Sequence, residues 1–248
     1  MNIPEEIKCV IFDMDGVIID SEEIHKKAYY ETFTSIGLTV SADLYKTITG
    51  SSTMNAFQKL VAHFNLNLNP EDLVHYKRKR YVNFFVNDST LHLVKGVEEL
   101  IKHCYHKNLT LILASSSAMV NIDRVFNRFK LNNYFTAKIS GADLTASKPH
   151  PEIFEKAAIL GNTPKKNCII IEDSDNGVKA ANDAGIFVFG YKNPMAEDQT
   201  LENANFIIDD FRSFISARGI TKTKFFETKC YCTFHIIKNI IIINFPLP

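Results

Sequence analysis

Lys8-Cys9-Val10-Ile11-Phe12-Asp13-Met14-Asp15-Gly16-Val17 decides how the rest of this chain is read. A short apolar run ends in two carboxylates separated by one residue. Val10, Ile11 and Phe12 are β-branched or aromatic and suit a buried strand. Asp13 and Asp15 then fall just past the strand's carboxyl end, the edge at which open α/β sheets bind ligands. Gly16 allows a tight turn or a close approach of backbone to a ligand. Taken alone, Asp-x-Asp-Gly is equally a plain turn, since Asp and Gly both favour turns.

Working outward, Asp20 is placed to cap a helix, with Glu23 three residues on as a capping box. From Ser21 to Ser35 the pattern carries Ile24, Ala28 and Phe33 on one face, and Gly37 closes it. Helical character continues to Asn87: Ala56, Leu60 and Phe64 are spaced by four, Pro70 opens a further helix, and no strand is evident from Ser41 onward. The pattern then changes to alternation. Helices centred on Val97–Cys104, Ile122–Phe129, Glu152–Leu160 and Asn176–Ala184 interleave with apolar strands at Leu109–Ala114, Thr136–Ser140, Cys168–Ile171, Ile186–Phe189 and Asn205–Ile208. Such alternation predicts an α/β, Rossmann-like parallel sheet with helices on both faces, and near-continuous apolar strands fit burial on both sides. The domains expected are a core over 1–19 and 88–220, a helical insert over 20–87, and an atypical apolar tail over 221–248 that reads as a non-native extension, with an extra edge strand and an interaction segment as the other readings.

Composition narrows the class. The chain has 248 residues, 46% hydrophobic and 23% charged, with 28 basic and 28 acidic side chains. That balance suits a soluble globular protein and gives no basic excess for nucleic acid. No secretory signal opens the chain and no run is long enough to span a bilayer, so a cytoplasmic protein with no membrane partner is expected. Five scattered cysteines without a C-x-x-C pair fit a reducing compartment and argue against a thiolate metal site.

Other strands also end in polar groups. Leu109–Ala114 leads into Ser115-Ser116-Ser117, Cys168–Ile171 into Glu172-Asp173, and the strand at Thr136 leads by a short loop to Ser147-Lys148-Pro149. A parallel sheet presents all its carboxyl ends on one edge. Each group has a plain reading: the serines as helix caps, Lys148 as a solvated loop lysine, Glu172-Asp173 as helix N-terminal charges. Together they suggest one site. Clustered carboxylates call for a hard cation, and oxygen ligands favour Mg²⁺. With a hydroxyl and a lysine they cradle a phosphoryl group, and a carboxylate can attack phosphorus to form an aspartyl-phosphate.

These four segments, Phe12–Glu22, Ala114–Ser116, Ser147–Pro151 and Ile171–Ala181, resemble the four ordered motifs of the haloacid dehalogenase-like superfamily. The similarity spans residues 7–215 and is greatest to its β-phosphoglucomutase and phosphoglycolate-phosphatase branch. The resemblance implies that Asp13 is the nucleophile and a Mg²⁺ ligand, and that Asp15 is the general acid/base with its carbonyl on the metal. It implies that Ser115 and Lys148 hold the transferring phosphoryl oxygens, with Ser116 beside them. Asp173 would be a direct metal ligand with Glu172 in or near that shell. The helical insert would be a mobile cap, hinged near Ile19-Asp20 and Asn87–Thr90.

The cap is expected to set the substrate. His25 matches a cap histidine that β-phosphoglucomutases use near the sugar, though a surface helix histidine reads as well. Gly50-Ser51-Ser52-Thr53 is similar to a cap loop where those mutases place an arginine for the distal phosphate; Thr53 stands there in this chain. Lys77 is a candidate for that charge, or part of a solvated basic face from Lys77 to Arg80. The expectation is a monomeric phosphatase acting on a small phosphorylated metabolite, a sugar or polyol phosphate. A β-phosphoglucomutase-type phosphomutase is the alternative, and a non-catalytic phospho-acceptor module stands behind both.

Overall fold

The computed structural model describes residues 3–194, 196, 199–212 and 214. The tail assigned to 221–248 lies outside the described residues. Six strands form one parallel sheet: β1 (Cys9–Phe12), β2 (Thr110–Ser115), β3 (Ala137–Ser140), β4 (Cys168–Glu172), β5 (Phe187–Tyr191) and β6 (Phe206–Ile208). Their order in space is β3-β2-β1-β4-β5-β6. The chain therefore winds outward from β1 in one direction, then restarts at β4 and winds in the other. The switch point lies between the carboxyl ends of β1 and β4, where a crevice opens in such sheets.

The strands alternate strictly between two apolar layers. Val10 and Phe12 face one cluster with Ile169, Ile171, Leu111 and Leu113. Cys9 and Ile11 face the other with Cys168, Ile170, Ile112 and Ala114. Helices α5 (Val97–His106) and α6 (Met119–Arg128) cover the first face, and α7 (Glu152–Leu160) and α8 (Asp175–Ala184) the second. Every residue of β1 is fully buried, which is why its sequence is a continuous apolar run rather than an alternating one.

Between β1 and α5 the chain inserts α1 (Glu22–Ser35), α2 (Ala42–Lys46), α3 (Thr53–His63) and α4 (Pro70–Asn87). This helical cap has an apolar cluster of its own, centred on Tyr29, Phe33, Phe57, Leu60 and Leu73. Two connections join it to the core. At the first, Ile19 bridges Leu93 and the Asp20 amide donates to His92 O at 3.3 Å. At the second, Arg128 of α6 donates to Phe85 O at 2.8 Å and to Asp88 O at 2.6 Å.

One local expectation is corrected. The cap residue of α1 is Ser21, not Asp20, and no capping box forms, since Ser21 makes no side-chain bond to the helix. Its hydroxyl donates instead to the Asp15 carboxylate at 2.5 Å. A charge-assisted bond of that kind outweighs a neutral cap bond by roughly a factor of two.

Candidate active site

The pairing of β1 with β4 sets the site. Phe12 is in register with Ile171, so Asp13 and Glu172 emerge side by side, and the Asp13 amide donates to Ile171 O at 3.0 Å. Both side chains are buried, and buried carboxylates demand a partner. Lys148 supplies it. Its ammonium, 1% exposed, bonds Asp13 Oδ1, Glu172 Oε1 at 2.6 Å and Ala114 O at 3.1 Å. The three contacts use all three of its protons. Lys148 is thus no solvated loop lysine, and the flanking carboxylates raise its pKa despite burial. Burial pushes Asp13 up to about 7, against the pull of Lys148.

Glu172 is fully committed. Its second oxygen accepts from the Ser174 amide at 2.8 Å and the Ser174 hydroxyl at 3.0 Å. Ser174 caps α8. Gly177 allows this packing: a Cβ there would lie 1.9 Å from the Glu172 carboxyl. Asp173 differs from its neighbour. It opens toward the cavity and takes no hydrogen bond from any described residue. Burial, with Glu172 and Asp13 beside it, raises its carboxyl well above the ordinary range. Gly16, at φ +87°, passes so close that a Cβ would meet Asp173 Oδ2 at 1.9 Å.

Asp15 faces the cap. Its carboxylate accepts from Ser21, from Ser117 Oγ at 2.9 Å, and lies 3.1 Å from His25 Nε2. Burial raises this carboxyl, but His25, Ser21 and Ser117 together outweigh that and hold it below the usual carboxylate range. Behind His25, Lys77 Nζ sits 2.7 Å from Nδ1 and over the rings of Tyr29 and Tyr81, at 4.5 and 5.2 Å. Lys77 is 2% exposed, so it is set apart from the solvated face of Lys79, and burial lowers it to about 7.

The serine run after β2 caps nothing, since Ala118 begins α6 without a side-chain bond. Ser115 Oγ accepts the Ser117 amide at 3.0 Å, and Ser116 Oγ donates to Gly50 O at 3.1 Å. Two more bonds fasten the same cap segment to the core: Asn176 Nδ2 to Thr49 O at 2.7 Å and Asn55 Nδ2 to Ser147 Oγ at 2.6 Å.

A cavity of about 80 Å³ lies between cap and core, lined by Asp13, Asp15, His25, Gly50, Ser116, Glu172 and Asp173 among others. Seven predicted residues thus meet at one cavity. Lys148 stands behind its carboxylates, Lys77 behind His25, and Ser115 is turned into its own loop. Sequence reasoning missed Ser21, Ser117, Glu22, Asn55, Ser147 and Asn176. Ser117 lay within the serine run, and Ser21, Glu22, Ser147 and Asn176 lay within the quoted motif segments without a role assigned; Asn55 alone carried no local signal. Among the described residues, no three carboxylate, imidazole or thiol groups already form a cation cage. No helix of the described residues is long and apolar enough to cross a membrane.

A doubly wound sheet, a helical insert after its first strand and an Asp-x-Asp at the switch point define an enzyme of the haloacid dehalogenase-like class. The chain belongs to that family: the haloacid dehalogenase-like hydrolase profile matches residues 10–191. Among its relatives is the Drosophila melanogaster protein named probable pseudouridine-5'-phosphatase, 29% identical over 82% of this chain and 90% of that protein. Another is the β-phosphoglucomutase of Bacillus subtilis (strain 168), 28% identical over 74% of this chain and 83% of that one. The crystal structure of β-phosphoglucomutase from Clostridium difficile superposes with a TM-score of 0.73 at 26% identity, covering 93% of this chain and 99% of that one. The protein is an enzyme of the phosphatase and phosphomutase kind.

Proposed function

We propose that this protein is a Mg²⁺-dependent phosphatase that hydrolyses a small phosphorylated sugar or polyol through an aspartyl-phosphate at Asp13. In this reading residues 20–87 are the substrate-selecting cap, and 1–19 with 88–220 the catalytic core. One observation carries it: buried Asp13 shares the Lys148 ammonium with Glu172, while Asp15, two residues on, faces the same cavity.

The roles follow from that arrangement. Asp13 attacks phosphorus and the bond to the leaving alcohol breaks, with Asp15 giving the alcohol oxygen a proton that it first takes up from solvent against the hold of His25, Ser21 and Ser117. Asp15, held afterwards as a carboxylate by Ser21, His25 and Ser117, takes a proton from the water that cleaves the acyl phosphate. Lys148, released from Asp13 Oδ1 as that carboxylate turns to phosphorus, and the Ser115–Ser116 turn receive the phosphoryl oxygens. The donor set fits a hard cation, because Asp13, the Asp15 carbonyl and the unpartnered Asp173 all offer oxygen. When bound, Mg²⁺ would neutralise charge on the phosphoryl oxygens. Glu172, with both oxygens committed, orients Lys148 from behind.

The test is phosphate release from a panel of sugar and polyol phosphates with Mg²⁺, for the wild type and Asp13→Asn. Release that Asp13→Asn abolishes supports the reading. The phosphomutase reading draws support from the near-complete cover of a β-phosphoglucomutase structure. Glucose 6-phosphate formed from β-glucose 1-phosphate with little free phosphate would favour it.

A further inference from the structure

Loops from three strands meet at Gly16. The turn after β1 is wound on itself: the Gly16 amide donates to Ile19 O at 2.8 Å, and the Ile18 and Ile19 amides donate to Met14 O at 2.8 and 3.0 Å. Asp173, after β4, and Asn193, after β5, close over the same face of Gly16. A Cβ there would lie 1.9 Å from Asp173 Oδ2 and 3.0 Å from Asn193 Nδ2. Asn193 is itself held on a short, anchored stretch. Tyr191, the last residue of β5, stacks its ring on Phe211 at 4.3 Å. The Lys192 amide donates to Ile208 O of β6 at 2.7 Å, and the Asn193 amide to Tyr191 O at 2.9 Å.

The Asn193 side chain is 5% exposed, and its Nδ2 donates to Gly16 O at 3.2 Å. Burying a side-chain amide is unfavourable unless it is hydrogen-bonded, and here the bond goes to the turn that carries Asp15. Its effect reaches the neighbouring peptide. Asp15 O and Gly16 N–H belong to one planar unit, whose N–H is tied to Ile19 O. Asn193 ties the next carbonyl along. Both polar groups of Gly16 are then committed, and the Asp15 carbonyl between Asp15 and Gly16 is fixed in direction beside Asp173. The residue type suits the place. A neutral amide donates without adding charge among Asp13, Asp15 and Asp173. A lysine would offset their negative potential and compete with a cation, and an ionised aspartate could not donate at all.

Resting on the Mg²⁺-dependent reading above, we propose that Asn193 is a positioning residue for a divalent cation, holding Gly16 O so that the Asp15 carbonyl and the Asp173 carboxylate stay together as its oxygen donors. Asn193 touches neither the cation nor the substrate. Without its bond the turn after β1 is free to draw away from Asp173, and the donors must be brought together when the cation binds. Groups that orient metal ligands from behind in this way are worth about 10–100-fold in metal affinity.

The experiment measures the Kd for Mg²⁺ alone, by titration calorimetry on the full chain freed of metal with EDTA, in wild type, Asn193→Ala, Asn193→Leu and Asn205→Ala. Asn193→Leu keeps the buried volume and removes the donor, so it serves where Asn193→Ala fails to fold. Asn205→Ala is the structural control: Asn205 Oδ1 accepts the Val188 amide of β5 at 2.8 Å and does not touch the Gly16 turn. Both Asn193 variants are expected to raise the Kd by about 10-fold or more, and Asn205→Ala to keep the wild-type value. A wild-type Kd in both Asn193 variants overturns the proposal, as does an equal rise in Asn205→Ala, which would mark a general loosening of β5. Hydrolysis of p-nitrophenyl phosphate by wild type and Asp13→Asn separates the two readings. If wild type binds Mg²⁺ and shows Asp13-dependent release while the Asn193 variants keep its Kd, the phosphatase reading stands and the positioning assignment falls. A wild type that neither binds Mg²⁺ nor releases phosphate overturns both.

Discussion

Replacing Lys77 by Met is predicted to stabilise this protein near neutral pH while impairing its activity. Lys77 is 2% exposed, and burial lowers its ammonium from 10.5 to about 7, against the pull of Asp15 and Glu22. The unfolded chain keeps that proton up to about pH 10.5, so between the two values the unfolded state binds more protons. Stability from this site is therefore fully present above pH 10.5 and is lost as the pH falls toward 7. At about 1.4 kcal/mol per unit, the penalty at pH 7 is on the order of 4 kcal/mol, falling to about 2 kcal/mol at pH 9. Met keeps the volume of the stem and removes the charge. It also loses the bond to His25 Nδ1 and the two ring contacts, together roughly 2 kcal/mol. The variant should thus be more stable than the wild type by about 2 kcal/mol at pH 7, and equal to it near pH 9. Urea unfolding followed by circular dichroism at several pH values between 7 and 9 measures this directly. The cost should appear in kcat, since His25 would lose the group that fixes its ring against Asp15, a common trade between stability and function. Parallel stability profiles for the two proteins across that pH range would refute the assignment of Lys77 as a buried, depressed ammonium.

Three further outcomes are expected. Lys148→Met leaves Asp13 and Glu172 buried and unpaired, and should destabilise the fold by about 3–5 kcal/mol in denaturant titrations. Gly177→Ala places a methyl 1.9 Å from the Glu172 carboxyl, so its melting temperature should fall, by the equivalent of about 1–3 kcal/mol of overpacking. Arg128→Ala frees the carbonyls of Phe85 and Asp88 at the second cap connection; amide exchange over residues 85–91 should accelerate, with global stability lowered by about 2 kcal/mol.

Much of the fold was legible because strands buried on both faces leave a plain mark. Cys9–Phe12, Thr110–Ser115 and Cys168–Glu172 are near-continuous apolar runs, and each ends where its polar residue begins. The caps were less legible. Asp20 and Ser21 are both good N-cap residues, and the choice between them turned on Asp15, which no local pattern brings to Ser21. The serine run misled for the same reason. Serine after a strand reads as a cap, yet Ser116 and Ser117 serve partners 66 and 102 residues away.

By itself the sequence determined the order of elements, the parallel sheet, and the set of carboxylates and Lys148 at one sheet edge. Those follow from short-range facts: side-chain period, chain order, and the rule that parallel strands align their carboxyl ends. Only the tertiary structure decided what each group does there. It buried Lys148 between Asp13 and Glu172, turned Asp15 toward His25 and the cap, drew Lys77 out of a basic face, and left Asp173 open to the cavity. It also put Glu22, to which the sequence reading gave no role, on the cavity wall. The reason is physical: burial and partnership set charge state and orientation, and both depend on residues that only folding brings within a few ångströms.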